Sequence, residues 1–97
     1  MNVAYRLQGI EFEWDSDKAR SNKAKHGIGF EEGSEVFLDP FYQEGDASSQ
    51  EEQRNFIIGY SLSRRMLLVI HLIRGKRIRL ISARLATRAE RKMYEEA

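Results

Sequence analysis

Cysteine is absent from the 97-residue chain, which excludes a disulfide-stapled fold and any cysteine-ligated zinc site. Histidine is almost absent too. His26 and His71 are the only two, too few nitrogen ligands to suggest a metal centre, and no cofactor is expected. A single proline and seven glycines exclude collagen-like or low-complexity sequence, and 41% hydrophobic residues argue against disorder. The longest apolar run, Met66 to Ile73, is broken by His71 and is far too short to span a membrane. Met1 to Glu11 contains Arg6 but no apolar centre or cleavage-like region, so no secretory signal is read there. No phosphate-binding glycine loop, nucleophile elbow or zinc-spaced His/Glu pair occurs. The expectation is one small cytoplasmic domain over residues 1–97, with no membrane contact.

What is present is charge, unevenly spread. The formal net charge is only +1. Residues 31–54 nevertheless carry eight acids against one base, Arg54, while residues 64–92 carry ten bases against one acid, Glu90. An acidic middle followed by a basic C-terminal third points to a surface for a polyanion, nucleic acid first. The plainer alternative is a solvated charged face, partly neutralised by the acidic segment folding over it.

The hydrophobic pattern places elements along the chain. Ile10, Phe12 and Trp14 alternate with Glu11 and Glu13, the period of a half-buried strand. Asp15 suits a helix N-cap, and the segment Ser16 to His26 should be helical, ending on Gly27. Its apolar content is only Ala19 and Ala24, so this helix must be solvated or pack against something charged. Phe30 to Leu38 reads as a second helix, stopped by Asp39-Pro40. Phe41-Tyr42 begins a strand, and residues 43–53 form an exposed, mobile loop. Arg54 to Ser61, Met66 to Arg74 and Lys76 to Arg84 read as strands, with Gly75-Lys76 as a two-residue hairpin turn. Thr87 and Glu90 form a capping-box pair that starts a last helix at Arg88. The fold class is α+β: an antiparallel sheet of about four strands flanked by three helices.

Chemistry concentrates in the basic third. The hairpin register pairs Arg74 with Arg77 and Leu72 with Arg79, placing three arginines on one face. Such a cluster needs an anion: an RNA phosphate, which suits the guanidinium fork, or internal carboxylates such as Glu31, Glu32 or Glu35. His26 precedes a capping glycine, where an imidazole interacts well with the helix dipole. That placement alone suffices more often than catalysis does; the alternative is a general base or acid. His71 reads as a hydrogen-bonded core histidine and Tyr94 as helix packing.

These pieces together resemble the BrnT family. The resemblance is carried by Phe12-Glu13-Trp14-Asp15, Lys18, Asn22, Lys25-His26-Gly27, Phe30-Glu31-Glu32 and Phe37-Leu38-Asp39-Pro40. It continues through Arg54, Ile58-Gly59, Arg74, the block Arg79-Leu80-Ile81-Ser82-Ala83-Arg84, Ala86-Thr87 and Glu90-Arg91. In three places the chain departs from the family pattern: Ser48-Ser49 stands where many members have a His-Ser pair, Gly33 replaces the usual alanine, and Ser16 replaces a common proline. Glycine at position 33 should weaken the second helix by roughly 1 kcal/mol.

The resemblance implies a RelE-like fold and a type II toxin, an endoribonuclease neutralised in a hetero-oligomeric complex by a BrnA-like antitoxin. The reaction it suggests is attack of a ribose 2′-hydroxyl on the adjacent phosphate, which needs no metal. For that reaction the expected catalytic residues are Lys25 and His26 for proton transfer and Arg77, Arg79 and Arg84 for the phosphate. Arg74 and Arg88 are expected to guide the RNA strand. The alternative is a non-catalytic module that holds an antitoxin and takes part in operon regulation.

Overall fold

A computed structural model describes residues 1–97. The chain opens with a hairpin that the sequence reading did not include: β1 (Asn2–Leu7) pairs antiparallel with β2 (Ile10–Asp15) across the turn Gln8-Gly9. Val3, Tyr5 and Leu7 turn inward against the core, and Tyr5 lies 5.3 Å from Trp14 between ring centres. The Asp15 carboxylate then accepts from the Lys18 amide at 3.0 Å and starts α1 (Ser16–His26), which Gly27 ends in the left-handed conformation at φ 73°. As its thin apolar content requires, α1 buries a single residue, and that residue is polar Asn22.

The second helix is shorter than its stripe suggests. α2 (Phe30–Glu35) gives way to a 3-10 turn over Val36–Leu38, with Phe30, Gly33, Ser34 and Val36 buried. At Gly33 a side-chain methyl would stand 3.1 Å from the Ala83 Cβ. The lost helix propensity therefore accompanies a close approach of α2 to the sheet.

Four further strands follow: β3 (Gln43–Asp46), β4 (Asn55–Tyr60), β5 (Met66–Arg74) and β6 (Arg77–Leu85), then α3 (Arg88–Glu95). The strand expected to begin at Phe41 begins two residues later, and the first four residues of the supposed loop form β3. The rest of that loop is exposed but tied down by hydrogen bonds through Ser48 and Ser49. Thr87 and Glu90 make the expected capping box.

The sheet corrects the expectation of about four antiparallel strands. It has six, in the order β1-β2-β6-β5-β4-β3, and β2 runs parallel to β6. That parallel ladder is only two pairs long, Phe12 with Ile78 and Glu13 with Arg79. Beyond it β2 ends in α1, and the outer edge of β6 is left for the helix to cover. Across the hairpin from β5, the register is the expected one: Arg74 pairs with Arg77, Ile73 with Ile78 and Leu72 with Arg79, with a bulge between Ile70 and His71.

β5 lies between β6 and β4, and over Met66–Ile70 its side chains are covered on both faces by packed elements. Leu67 and Val69 join the main core with Phe12, Trp14, Ile28, Phe30, Val36, Ile57, Leu80 and Ala83 under α1 and α2. Met66 and Leu68 face the other side with Ile58 and are covered by Tyr94 of α3. His71 is buried against the edge of Phe37, with ring centres 4.9 Å apart. It is a core histidine as expected, but its Nδ1 has no hydrogen-bond partner, and burial pushes its pKa below the ordinary value. No helix is long and apolar enough to cross a membrane.

Candidate active site and nucleic-acid interface

The expected site residues fall into three groups. The first is built where α1 meets the free edge of β6. Asn22 acts as a strand substitute there: its amide donates to the Ala83 carbonyl at 2.8 Å and accepts the Ala83 N–H at 3.1 Å. The same amide nitrogen also donates to the Ile28 carbonyl at 3.0 Å. Docked in this way, α1 walls an open cavity of about 330 Å³, lined by Lys18, Ser21, Asn22, Lys25, His26, Arg54, Ile81 and Ser82. Four of these side chains are cationic or can become so, and none is a carboxylate.

Lys25 and His26 thus meet as expected, and the fold adds Lys18 about two turns earlier on the helix. Arg54 is the addition from outside α1. It arrives at the end of the tied loop, where the Ser48 hydroxyl accepts its N–H at 2.9 Å and donates to its carbonyl at 3.2 Å. Its Nη2 bonds to Glu52. Its Nε is buried without a partner, leaving a donor unused beside the cavity. The only base in the acidic segment is therefore the one that enters the site.

The second group surrounds Glu13 of β2. Arg79 Nη1 stands 2.7 Å from Glu13 Oε2, Arg74 Nη1 3.4 Å from the same oxygen, and Arg77 Nη1 3.7 Å from Oε1. Burial opposes ionisation of Glu13, but hydrogen bonds and positive charge from Arg79 and Arg74 outweigh it and hold the carboxyl below its usual range. The three arginines do share a face. Their internal counter-ion is Glu13 rather than Glu31, Glu32 or Glu35. Glu32 binds Arg65 instead, and Glu35 accepts the Leu62 N–H at 3.0 Å.

The third group is structural in its contacts. Arg84 forms a forked pair with Glu90, at 2.7 and 2.8 Å, which braces α3 against β6. The structure does not bring Arg84 to the α1 cavity. Arg88 is exposed at the start of α3 and makes no ion pair. Nowhere do three or more His, Cys, Asp or Glu side chains converge as metal ligands would.

Three comparisons bear on what this arrangement serves. No curated protein matches the chain in sequence. Among solved structures, the Brucella abortus ribonuclease toxin BrnT superposes with a TM-score of 0.59 at 28% identity, covering 77% of this chain and 94% of that one. Residues 14–90 match the family described as the ribonuclease toxin, BrnT, of type II toxin-antitoxin systems. That match takes in α1, Arg54, all of β6 and Glu90, so the residues around the basic cavity lie within it. The chain belongs to the BrnT family of ribonuclease toxins.

Proposed function

We propose that the α1 cavity is the cleavage site of this ribonuclease toxin, and that it acts on RNA by transesterification within the strand. The observation that carries the reading is the lining itself: Lys18, Lys25, His26 and Arg54 converge with no carboxylate among them. A phosphodiester is the ligand such a lining attracts, and a pentacoordinate phosphorane, with more negative charge, is held more strongly still.

The chemistry divides by what each group can do. An ammonium only donates protons, whereas a neutral imidazole can accept one. His26 accordingly takes the proton of the 2′-hydroxyl as its oxygen attacks phosphorus. The bond from phosphorus to the 5′-oxygen breaks, and Lys25 supplies the proton that oxygen needs to leave. The products are a 2′,3′-cyclic phosphate and a 5′-hydroxyl. Arg54, which lines the cavity, stabilises the charge that builds on the non-bridging oxygens. Lys18 and the cations farther along β6 receive the flanking strand.

A type II system supplies the toxin with an antitoxin. We take that partner to be BrnA-like, forming a hetero-oligomeric complex that covers the basic cavity.

Single-turnover cleavage of a defined RNA by the purified chain tests the site. H26A and K25A should each slow cleavage by roughly 10²–10⁴-fold, and R54A by roughly 10²–10³-fold. Wild-type rates in all three would place the chemistry elsewhere.

A further inference from the structure

Glu13 has more cations than it needs. A buried carboxylate is satisfied by one well-placed guanidinium, yet Glu13, 6% exposed, draws in three. Three positive charges against one negative leave a surplus of two. Arg79 is further fixed by donating to Asn2 Oδ1 at 2.9 Å. The Arg74 and Arg77 side chains stay 64% and 43% exposed. Each guanidinium carries five donors, and Glu13 occupies few of them. Glu11 shares a small cavity with Arg77, but its carboxylate is paired with Arg6 at 3.0 Å. The surplus therefore faces solvent.

Along β6, Arg79 precedes Ser82 of the basic cavity by three residues, about 10 Å of extended strand. One phosphate group cannot touch both places, but two phosphates of one strand can.

We propose that Arg74, Arg77 and Arg79 form a second phosphate subsite, which takes a non-reacting phosphodiester of the RNA being cut, with Glu13 as the positioning residue that holds the three guanidiniums in one fan. The inference rests on the cleavage-site reading given above. Without Glu13 the arginines repel one another and spread. With it they keep a fixed geometry and a net positive charge. The subsite sets which phosphate of the strand lies in the cavity.

The test uses the full chain and a short RNA in which single phosphates are replaced, one at a time, by neutral methylphosphonates. In the wild type, one position apart from the scissile phosphate should lower kcat/KM by roughly 10- to 100-fold when neutralised, the value of a charge-assisted contact. In R79A the same replacement should change kcat/KM by no more than about twofold, because the contact is already gone. E13Q keeps all three cations, so the salt dependence of RNA binding should remain that of the wild type, while the position-specific penalty shrinks as in R79A. A purely structural role for Glu13 would weaken every substrate equally and leave that penalty intact.

No position-specific penalty in the wild type, or a penalty of full size in R79A and E13Q, overturns the proposal. Should E13Q not fold, R79K takes its place with the same expectation, since it keeps the charge and loses the fork. K25A and R54A separate the two readings. If neither slows cleavage while R79A still relieves the penalty, the cavity assignment fails and the subsite stands.

Discussion

Asn22 completes the hydrogen bonding of Ala83 on the stretch of β6 that β2 leaves unpaired, giving and accepting one bond each at 2.8 and 3.1 Å. This pair fastens a helix of almost no apolar content to the sheet. Each buried backbone group left without a partner costs on the order of 1–3 kcal/mol. N22A should therefore lower stability to urea by at least that amount. N22D should be worse, because a carboxylate cannot donate to the Ala83 and Ile28 carbonyls. Unchanged midpoints would mean that α1 is held by other contacts.

Acid should release a second clamp. Hydrogen bonds from Arg65, and then from Ser61 and Ser63, outweigh burial and hold the Glu32 carboxyl at about 2, well below its ordinary value of 4.5. A carboxyl depressed on folding stabilises the fold above its unfolded pKa and stops doing so as pH falls through the folded one. The contribution of Glu32 is thus complete above about pH 4.5 and fades toward pH 2. In E32Q the melting temperature should fall less steeply over that window than in the wild type. Parallel acid limbs would show that Glu32 does not carry the effect.

Besides the Arg84–Glu90 pair, a hydroxyl near its C-terminal end ties down the last helix. Tyr94 donates to Asp39 Oδ2 at 2.7 Å, and that oxygen also accepts the Tyr60 N–H at 2.9 Å. Burial first, and the Asp39 carboxylate second, push the Tyr94 phenol up to about 12. Ultraviolet titration should find one of the four tyrosines ionising near that pH, and Y94F should remove it. Because the shift is upward, its stabilising share is complete below about pH 10 and disappears as pH approaches 12. Y94F should also cost about 1 kcal/mol and speed amide exchange in α3.

The antitoxin gives a fourth test. A partner that covers the basic cavity should compete with labelled RNA, and its association should slow as salt rises. Simultaneous binding of RNA and antitoxin at full affinity would place neutralisation on another surface.

Local signals were the legible ones. Asp15 and Gly27 delimit α1, Thr87 and Glu90 start α3, and the Gly75-Lys76 turn sets the register that aligns Arg74 with Arg77. The alternation of Val3, Tyr5 and Leu7 before the Gln8-Gly9 turn is an equally local signal, that of the β1–β2 hairpin. The parallel pairing of β2 with β6 had no signal to read, because it joins residues more than sixty positions apart through two pairs. The same distance hid Glu13 as the counter-ion of the arginines, since alternation specifies a face of one strand and not its neighbour. Arg54 lay between these cases. It stood out as a lone base among acids, but only the Ser48 bonds and the path of β4 carry it to α1.

The position of β6 also orders events during synthesis. It is the last strand to be made and occupies the interior of the sheet, between β2 and β5. A nascent chain that ends before residue 77 has neither the edge that receives α1 nor the wall supplied by Ile81 and Ser82. On the cleavage-site reading proposed above, a stop codon upstream of β6 yields a fragment without the basic cavity, and expressing that fragment should leave growth unaffected.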